Sequence, residues 1–232
     1  MAGDMGDEIL AGYSKYWKMT KHSYLQRQIG KDKIENWDDI LKLWMARIKR
    51  PMVVPITGGS LSKDEVLQEL KKCYPEDLWN PEDPVSSYMA LDCVTQVPEE
   101  FFNRNDKFGM AYGMEGRFPL ATKMFMQYCL SIPSYQKMGQ FKTMTKMPTK
   151  RAYQKRLPAY ILGKPKTGWT VPLGYWLSSG SAENTARLQK KYKEALGDKS
   201  KLDIIKTSQK AGKAMVPSWI VNDWLKIYKM KL

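Results

Sequence analysis

The sequence predicts a mostly α-helical protein, and two observations lead there. Apolar residues recur at helical spacing in several separate stretches. The clearest is Trp37, Ile40, Leu41, Trp44, Met45 and Ile48, at steps of 3, 4, 7, 8 and 11 from the first. Only one short run, Met52–Thr57, reads as a strand, and Gly58-Gly59 breaks it. The 232 residues are 43% hydrophobic and 12% aromatic, enough to bury a core as one large domain or two small ones.

The elements follow in chain order. Ala2–Tyr16 places Asp4, Asp7 and Glu8 among Gly3, Gly6 and Gly12. Glycine lets the backbone turn tightly and approach a ligand. Carboxylates at this spacing suit Mg²⁺, which takes one or two of them plus phosphate oxygens. A mobile acidic terminus is the plainer alternative. Against it, Ile9, Leu10, Tyr13, Tyr16 and Trp17 follow at helical spacing, so the acidic turn is attached to something that packs. His22–Lys33 is polar, with Gly30 as a helix stop. The helix from Trp37 ends near Arg50, before Pro51, with its tryptophans as core. Ser62-Lys-Asp-Glu65 is a capping box opening a helix through Val66, Leu67, Leu70 and Tyr74. Pro75, Pro81 and Pro84 mark a loop, either a subdomain linker or an ordered surface loop. Val85–Val97 reads as a helix with Tyr88, Leu91 and Val94 inward, stopped by Pro98. Thr122–Leu130 is a short apolar helix. The tail, residues 178–232, is helical: one helix capped by Ser181 and stopped by Gly197, a second around Leu202 and Ile205, and a last one over Trp219–Tyr228, apolar enough to dock on the same domain.

Composition excludes several classes. No run approaches the ~20 apolar residues of a membrane-spanning helix. The first residues carry acids and no apolar stretch, unlike a signal peptide. Cys73, Cys93 and Cys129 are odd in number and far apart, which suits reduced thiols in a cytoplasmic protein rather than a disulfide or zinc framework. A lone His22 argues against a histidine metal site or a Ser-His-Asp triad. The formal charge of +14, from 38 basic and 24 acidic side chains, attracts ATP, pyrophosphate, RNA or an acidic chain without distinguishing them.

Two further stretches carry chemistry. Pro98–Leu120 holds Glu115 and Arg117, which would not face each other on a helix but could on an irregular turn. A buried charge there needs a partner, so each is expected to pair elsewhere, as a structural brace or a substrate contact. Gly163–Leu177 sets Lys166 in a frame of Pro165, Gly168, Trp169, Pro172 and Trp176. A lysine on such a rigid loop serves as a fixed cation for phosphate, or is an ordinary surface lysine. Between them, Phe141–Arg156 is strongly basic with aromatics interleaved, as on a strand-binding surface, yet no RRM, KH or zinc-finger pattern is present.

These stretches resemble, in one order, the motifs of the asparagine synthetase family. Gly3–Tyr13 is similar to Gly-(Asp/Glu)-Gly-x-Asp-Glu-(Leu/Ile)-(Phe/Leu)-x-Gly-Tyr, with Met5 where that family usually has glycine. Asp106, Met110, Ala111, Glu115, Arg117 and Pro119 match the family's Asp-(Arg/Lys)-x-(Ser/Gly)-Met-Ala-…-Glu-x-Arg-x-Pro, which usually continues Phe-Leu-Asp where this chain has Leu120-Ala121-Thr122. Thr145-Lys146 matches the opening of a basic helix. Lys164-Pro165-Lys166, Gly168, Pro172 and Trp176-Leu177 match (Arg/Lys)-Pro-Lys-x-Gly-Phe-x-x-Pro-…-Trp-(Leu/Ile).

The resemblance covers residues 1–177 and implies the helical C-terminal portion of an α/β, ATP-pyrophosphatase-type (adenine-nucleotide α-hydrolase-like) synthetase domain, its parallel sheet largely missing. It implies ATP-dependent amidation of the aspartate side chain through β-aspartyl-AMP, with ammonia from glutamine, and ATP and Mg²⁺ as cofactors. In that reading Asp4 and Lys166 are catalytic, Asp7 binds metal, and Gly3, Glu8, Glu115, Arg117 and Lys146 contact substrate or nucleotide. The family's Ser-Gly-Gly-x-Asp-Ser phosphate loop and its amino-terminal cysteine do not occur in this sequence. The expectation is therefore a split enzyme whose partner chain supplies the phosphate loop and the glutaminase domain. The alternatives are an inactive fragment or a basic helical nucleic-acid-binding protein.

Overall fold

A computed structural model of the chain describes residues 1–46, 62–139, 141, 144–164, 166, 186 and 190. Among the described residues every regular element is helical, in agreement with the fold class read from the sequence. The expected strand Met52–Thr57, the tail helices and most of Gly163–Leu177 lie outside the described residues. The chain divides into two compact units: Met1–Trp44 with Glu69–Thr167, and Met45–Gln68 with Gly168–Leu232.

The first unit contains the acidic turn. It opens with α1 (Gly6–Ile9), α2 (Ser14–Lys18), α3 (His22–Ile29) and α4 (Trp37–Met45). The helical spacing read through Trp17 is thus split over two short helices, broken at residues 10–13. Gly30 ends α3 in the left-handed conformation at φ 72°, the role the sequence assigns it. Trp37 is buried in α4 with Ile40, Leu41 and Leu43, and its indole N–H donates to the Tyr74 carbonyl at 3.0 Å. Ahead of α5 (Lys63–Cys73) the capping box is formed in both directions. Glu65 N–H donates to Ser62 Oγ at 3.2 Å, and Ser62 N–H to Glu65 Oε2 at 2.6 Å.

The proline-marked loop is ordered. A 3₁₀ turn (Glu76–Leu78) leads to Asn80, whose N–H donates to Ser87 Oγ at 2.7 Å. Asp83 then caps α6 (Pro84–Val94), accepting from the N–H and hydroxyl of Ser86 at 3.1 and 2.7 Å. It also accepts from Ser134 N–H at 2.7 Å, which ties α6 to α9 (Ser134–Lys137). Burial opposes the Asp83 charge, but the Ser134 and Ser86 hydrogen bonds together hold its carboxyl below the usual range.

Two expectations about α6 are corrected. Val94 is exposed, not inward. The helix ends there, and Thr95 takes the buried place with its hydroxyl donating to the Leu91 carbonyl at 2.7 Å. Nor does Pro98 stop the helical path. It lies in the first turn of a π-helical segment (Val97–Phe102) that runs directly into α7 (Asn103–Met110). A first-turn N–H has no partner within its own helical segment, so the N–H that proline lacks costs nothing there.

Met5, Ile9 and Leu10 are buried with Val97 and Cys129, and Phe101, Phe102, Phe125, Met126 and Leu130 pack around them. Each such side chain contributes about 1.5–3 kcal/mol by leaving water. The acidic turn therefore rests on a platform built from the π-helical segment and α8 (Lys123–Ser131). The unit closes with α10 (Met147–Tyr153) and α11 (Ala159–Gly163), neither of which buries a side chain.

Candidate functional site

The site begins with backbone geometry. α1 carries Asp7 and Glu8 in its first turn, where the helix field favours acids. It ends when Gly12 N–H reaches back to the Asp7 carbonyl at 2.8 Å, with Ala11 left-handed at φ 54°. This closure folds Gly12 over the Asp7 side chain. A Cβ on Gly12 would lie 1.8 Å from Asp7 Oδ1 and 2.5 Å from Lys146 Cε. Met5, at φ 74°, opens the turn, and Lys146, at φ 55°, precedes α10. These and Ala11 are the non-glycine residues with positive φ among the described residues, and all belong to or touch the Asp7 turn. Each such conformation costs roughly 1–2 kcal/mol, and residues held this way cluster at functional sites.

Asp7 lies between two lysines. Lys166 Nζ donates to its Oδ2 at 2.8 Å, and Lys146 Nζ stands 2.9 Å from Oδ1. The carboxylate is 14% exposed, and each ammonium about a third. Lys146 approaches off the hydrogen-bonding direction, so among the described residues the buried Oδ1 accepts no hydrogen bond. The Lys166 ammonium also sits 5.4 Å from the centre of the Tyr13 ring.

Asp4 is half-buried beside this triad in sequence, and Asn105 Nδ2 donates to its Oδ2 at 2.6 Å. Gly3 is exposed, with open space where a Cβ would project. Ala2 N–H donates to the Arg117 carbonyl at 2.9 Å, which lays the 114–118 segment along the acidic turn. The expectation that Glu115 and Arg117 each pair elsewhere is corrected. They pair with each other at 2.8 Å, 66% and 71% exposed, because the backbone there is irregular and lets neighbours two apart meet.

Glu8 points the other way. It is buried with the Tyr13 hydroxyl beside its carboxyl, and among the described residues its Oε1 accepts no hydrogen bond. Burial pushes the Glu8 carboxyl up and the Tyr13 hydroxyl far up. Behind them the Tyr16 hydroxyl donates to buried Asp92 Oδ2 at 2.6 Å, and Lys15 pairs with the same oxygen. The Lys15 ammonium lies 4.9, 5.0 and 5.4 Å from the ring centres of Tyr13, Tyr16 and Tyr88. Glu8 is thus under the site, while Asp4, Asp7, Lys146 and Lys166 are at its surface.

Among the described residues no group of three or more His, Cys, Asp or Glu side chains is placed to hold a metal ion. Asp7 fits a narrower role. A single carboxylate with one oxygen free of hydrogen bonds is what Mg²⁺ accepts when phosphate oxygens and water complete its shell.

The sequence singles out Asp7, Lys146 and Lys166 separately, and the fold joins them. It gives no signal for Asn105, which is 101 positions from Asp4, or for the Lys15–Asp92 pair. In the sequence Tyr13 reads as a packing residue and Gly12 as a turn glycine, and neither is assigned a place beside the lysines.

The site is an acidic turn flanked by lysines on a helical frame, and sequence comparison supplies the family. Residues 1–226 match the Asparagine synthase family. The chain belongs to that family, whose domain has the ATP-pyrophosphatase-type fold. Relatives include proteins of Mycobacterium bovis and of two Mycobacterium tuberculosis strains, each named "Putative asparagine synthetase (glutamine-hydrolyzing)". Each is 31% identical over 98 residues, which is 42% of this chain and 15% of the mycobacterial protein. The match therefore spans a small part of those relatives' length. No solved structure matches the chain.

Proposed function

We propose that this chain supplies the pyrophosphate-facing residues of an asparagine synthetase, acting with a partner chain that bears the phosphate loop and the glutamine-hydrolysing domain. The observation that carries the reading is the meeting of Asp7, Lys146 and Lys166, contributed by positions as much as 159 apart. An isolated helical protein gains nothing from two strained or loop-borne lysines gathered on one carboxylate.

In this reading the aspartate side-chain carboxylate attacks the α-phosphate of ATP. A new P–O bond forms as the bond to pyrophosphate breaks, giving β-aspartyl-AMP. Ammonia released from glutamine then attacks the acyl carbon, and AMP leaves with the bonding pair. Carboxylates are poor acyl donors, so adenylation supplies the leaving group. What remains for the protein is to neutralise charge as it develops on the phosphates. Lys166 and Lys146 do this: each exchanges Asp7 for the more highly charged phosphate oxygens. Asp7 is thereby freed to help hold Mg²⁺, which when bound supplies further neutralisation of the phosphates.

Asp4, fixed by Asn105, orients ammonia or takes its proton. Gly3, with no side chain, lets the backbone come close to the nucleotide. The exposed Glu115–Arg117 pair, held against the turn through Ala2, opens to contact the amino acid. Glu8 supports the turn from below. We place the protein in the cytoplasm; among the described residues no helix is long and apolar enough to cross a membrane.

The test is ATP–pyrophosphate exchange with aspartate and Mg²⁺, run on this chain alone and on its mixture with the product of the adjacent upstream gene. Exchange in the mixture, lost in Lys166→Ala and Asp7→Asn, is the expected result. No exchange in either, with the chain folded and binding RNA in a salt-dependent manner, overturns the enzyme in favour of a nucleic-acid-binding protein. No exchange with an unfolded chain identifies an inactive fragment.

A further inference from the structure

We infer that Tyr13 is the positioning residue for Lys166, holding its ammonium by the ring face when the lysine leaves Asp7 for a phosphate. The inference rests on the phosphate-facing reading of Lys166 given above and adds to it a residue that reading does not use.

The geometry comes first. Lys166 has two described contacts that fix its ammonium: the hydrogen bond to Asp7 Oδ2 at 2.8 Å and the Tyr13 ring, 5.4 Å from Nζ to centroid. The second distance lies within the range over which an aromatic face attracts a cation. Only the first contact must be given up when phosphate oxygens claim the ammonium. A lysine side chain has four flexible bonds and scatters over many positions once released. The ring is then what keeps Nζ near the place it must act.

The ring itself is immobilised. Its hydroxyl lies beside the buried Glu8 carboxyl, and its ring meets Tyr16 at a tilt, 6.0 Å between centroids. Tyr16 is anchored through its hydroxyl on Asp92. A second cation, Lys15, approaches the Tyr13 ring at 4.9 Å but is pinned by its ion pair with Asp92 and its hydrogen bond to Gln96 at 3.3 Å. Lys15 therefore does not follow the phosphate, and Lys166 can. Glu8 also gains a purpose. A carboxyl buried under an acidic turn costs stability, and here it lies against the hydroxyl end of the ring that faces Lys166.

Two chemical roles of Tyr13 can be separated by substitution. Tyr13→Phe keeps the ring and loses the hydroxyl beside Glu8. Tyr13→Leu keeps bulk and loses the ring. The probe is the ε-methylene resonance of Lys166 in protein carrying ¹³C-lysine, assigned by its disappearance in Lys166→Arg. A proton set held over an aromatic face is shifted upfield by the ring. The expected result is an upfield-displaced Lys166 signal in the unmodified chain, retained at reduced displacement in Tyr13→Phe, and moved to the position of exposed lysines in Tyr13→Leu. A signal that already lies with the exposed lysines in the unmodified chain overturns the inference without any variant. So does a signal unchanged by Tyr13→Leu.

Titration with magnesium pyrophosphate on the same samples separates this inference from the reading beneath it. If Lys166 is displaced by Tyr13 but pyrophosphate does not perturb it, the placement stands and the phosphate-facing reading fails. If pyrophosphate perturbs Lys166 equally and with the same affinity in Tyr13→Leu, the reading stands and Tyr13 is not its positioning residue. The expected outcome is a roughly 2- to 5-fold weaker pyrophosphate affinity in Tyr13→Leu, the size of one exposed cation–π contact, with Tyr13→Phe closer to the unmodified chain.

Discussion

Gly12 and Asp7 occupy one another's space: a Cβ on Gly12 would stand 1.8 Å from Asp7 Oδ1. The requirement for glycine here is therefore room, not a left-handed backbone. The neighbouring left-handed position is filled by Ala11 at φ 54°. Gly12→Ala must displace the Asp7 carboxylate, the Lys146 stem, or both. We expect it to cost about 1–3 kcal/mol, the range for overfilling a packed site. Its effect should shrink in an Asp7→Ala background, where the clashing oxygens are gone. Urea unfolding of the two single variants and the double variant checks this, and simple additivity would contradict it.

Met5 presents the opposite balance. The family motif usually has glycine at this position, and the backbone conformation explains why, since φ is 74°. In this chain the methionine side chain is buried in the platform beneath the turn. Met5→Gly relieves roughly 1–2 kcal/mol of strain but removes a buried side chain whose truncation costs about 2–5 kcal/mol. The net expectation is a loss of stability of about 1–3 kcal/mol, read as a lower urea midpoint with unchanged slope. A stabilised variant would show that the methionine packs poorly.

The thiols should differ sharply. Cys73 is exposed, whereas Cys93 and Cys129 are in or against the core. Burial pushes the Cys93 thiol up to about 12, and burial raises Cys129 as well. Only the thiolate is nucleophilic, so near pH 8 the native protein should release one equivalent of chromophore quickly to a disulfide reagent. The remaining thiols should react only on unfolding. Rapid release of two or more equivalents from native protein contradicts the packing around α8.

Where the structural cause is local, the sequence discloses it. Ser62 and Glu65 cap α5 reciprocally, Gly30 ends α3, and Trp37, Ile40 and Leu41 of the apolar stripe are buried, because each depends on a few adjacent residues. The joining of Asp7 with Lys166 was legible only through the order of three motifs, since no spacing rule links positions 159 apart. Pro98 misled because proline is read as a helix stop, yet in the first turn of a π-helical segment its missing N–H is no loss. Glu8 separates from Asp7 through local geometry. It shares a motif with Asp7, but one step along a single helical turn rotates a side chain about 100°, from the lysines at the surface to Tyr13 and the core.

Lys137 supplies a prediction that depends on the sign of a charge rather than on a contact. It is fully buried at the end of α9, and among the described residues its Nζ has no hydrogen-bond partner. Burial pushes its ammonium below the ordinary lysine value, with Asp83 opposing the shift. In the unfolded chain the same amine titrates near its ordinary value of 10.5. Between the lowered folded value and 10.5 the unfolded state binds more protons, so stability attributable to Lys137 rises with pH through that window. Below it the penalty is fully present. Lys137→Met removes the buried amine and keeps the length of the stem. It should stabilise the protein by about 1–3 kcal/mol at neutral pH, the usual cost of a buried polar group without a partner. It should also abolish the alkaline rise. Unfolding free energies of both proteins from pH 7 to 10.5 should therefore converge as pH rises. Parallel curves would mean that Lys137 finds water or an acceptor in the folded state, and that its burial is tolerated rather than costly.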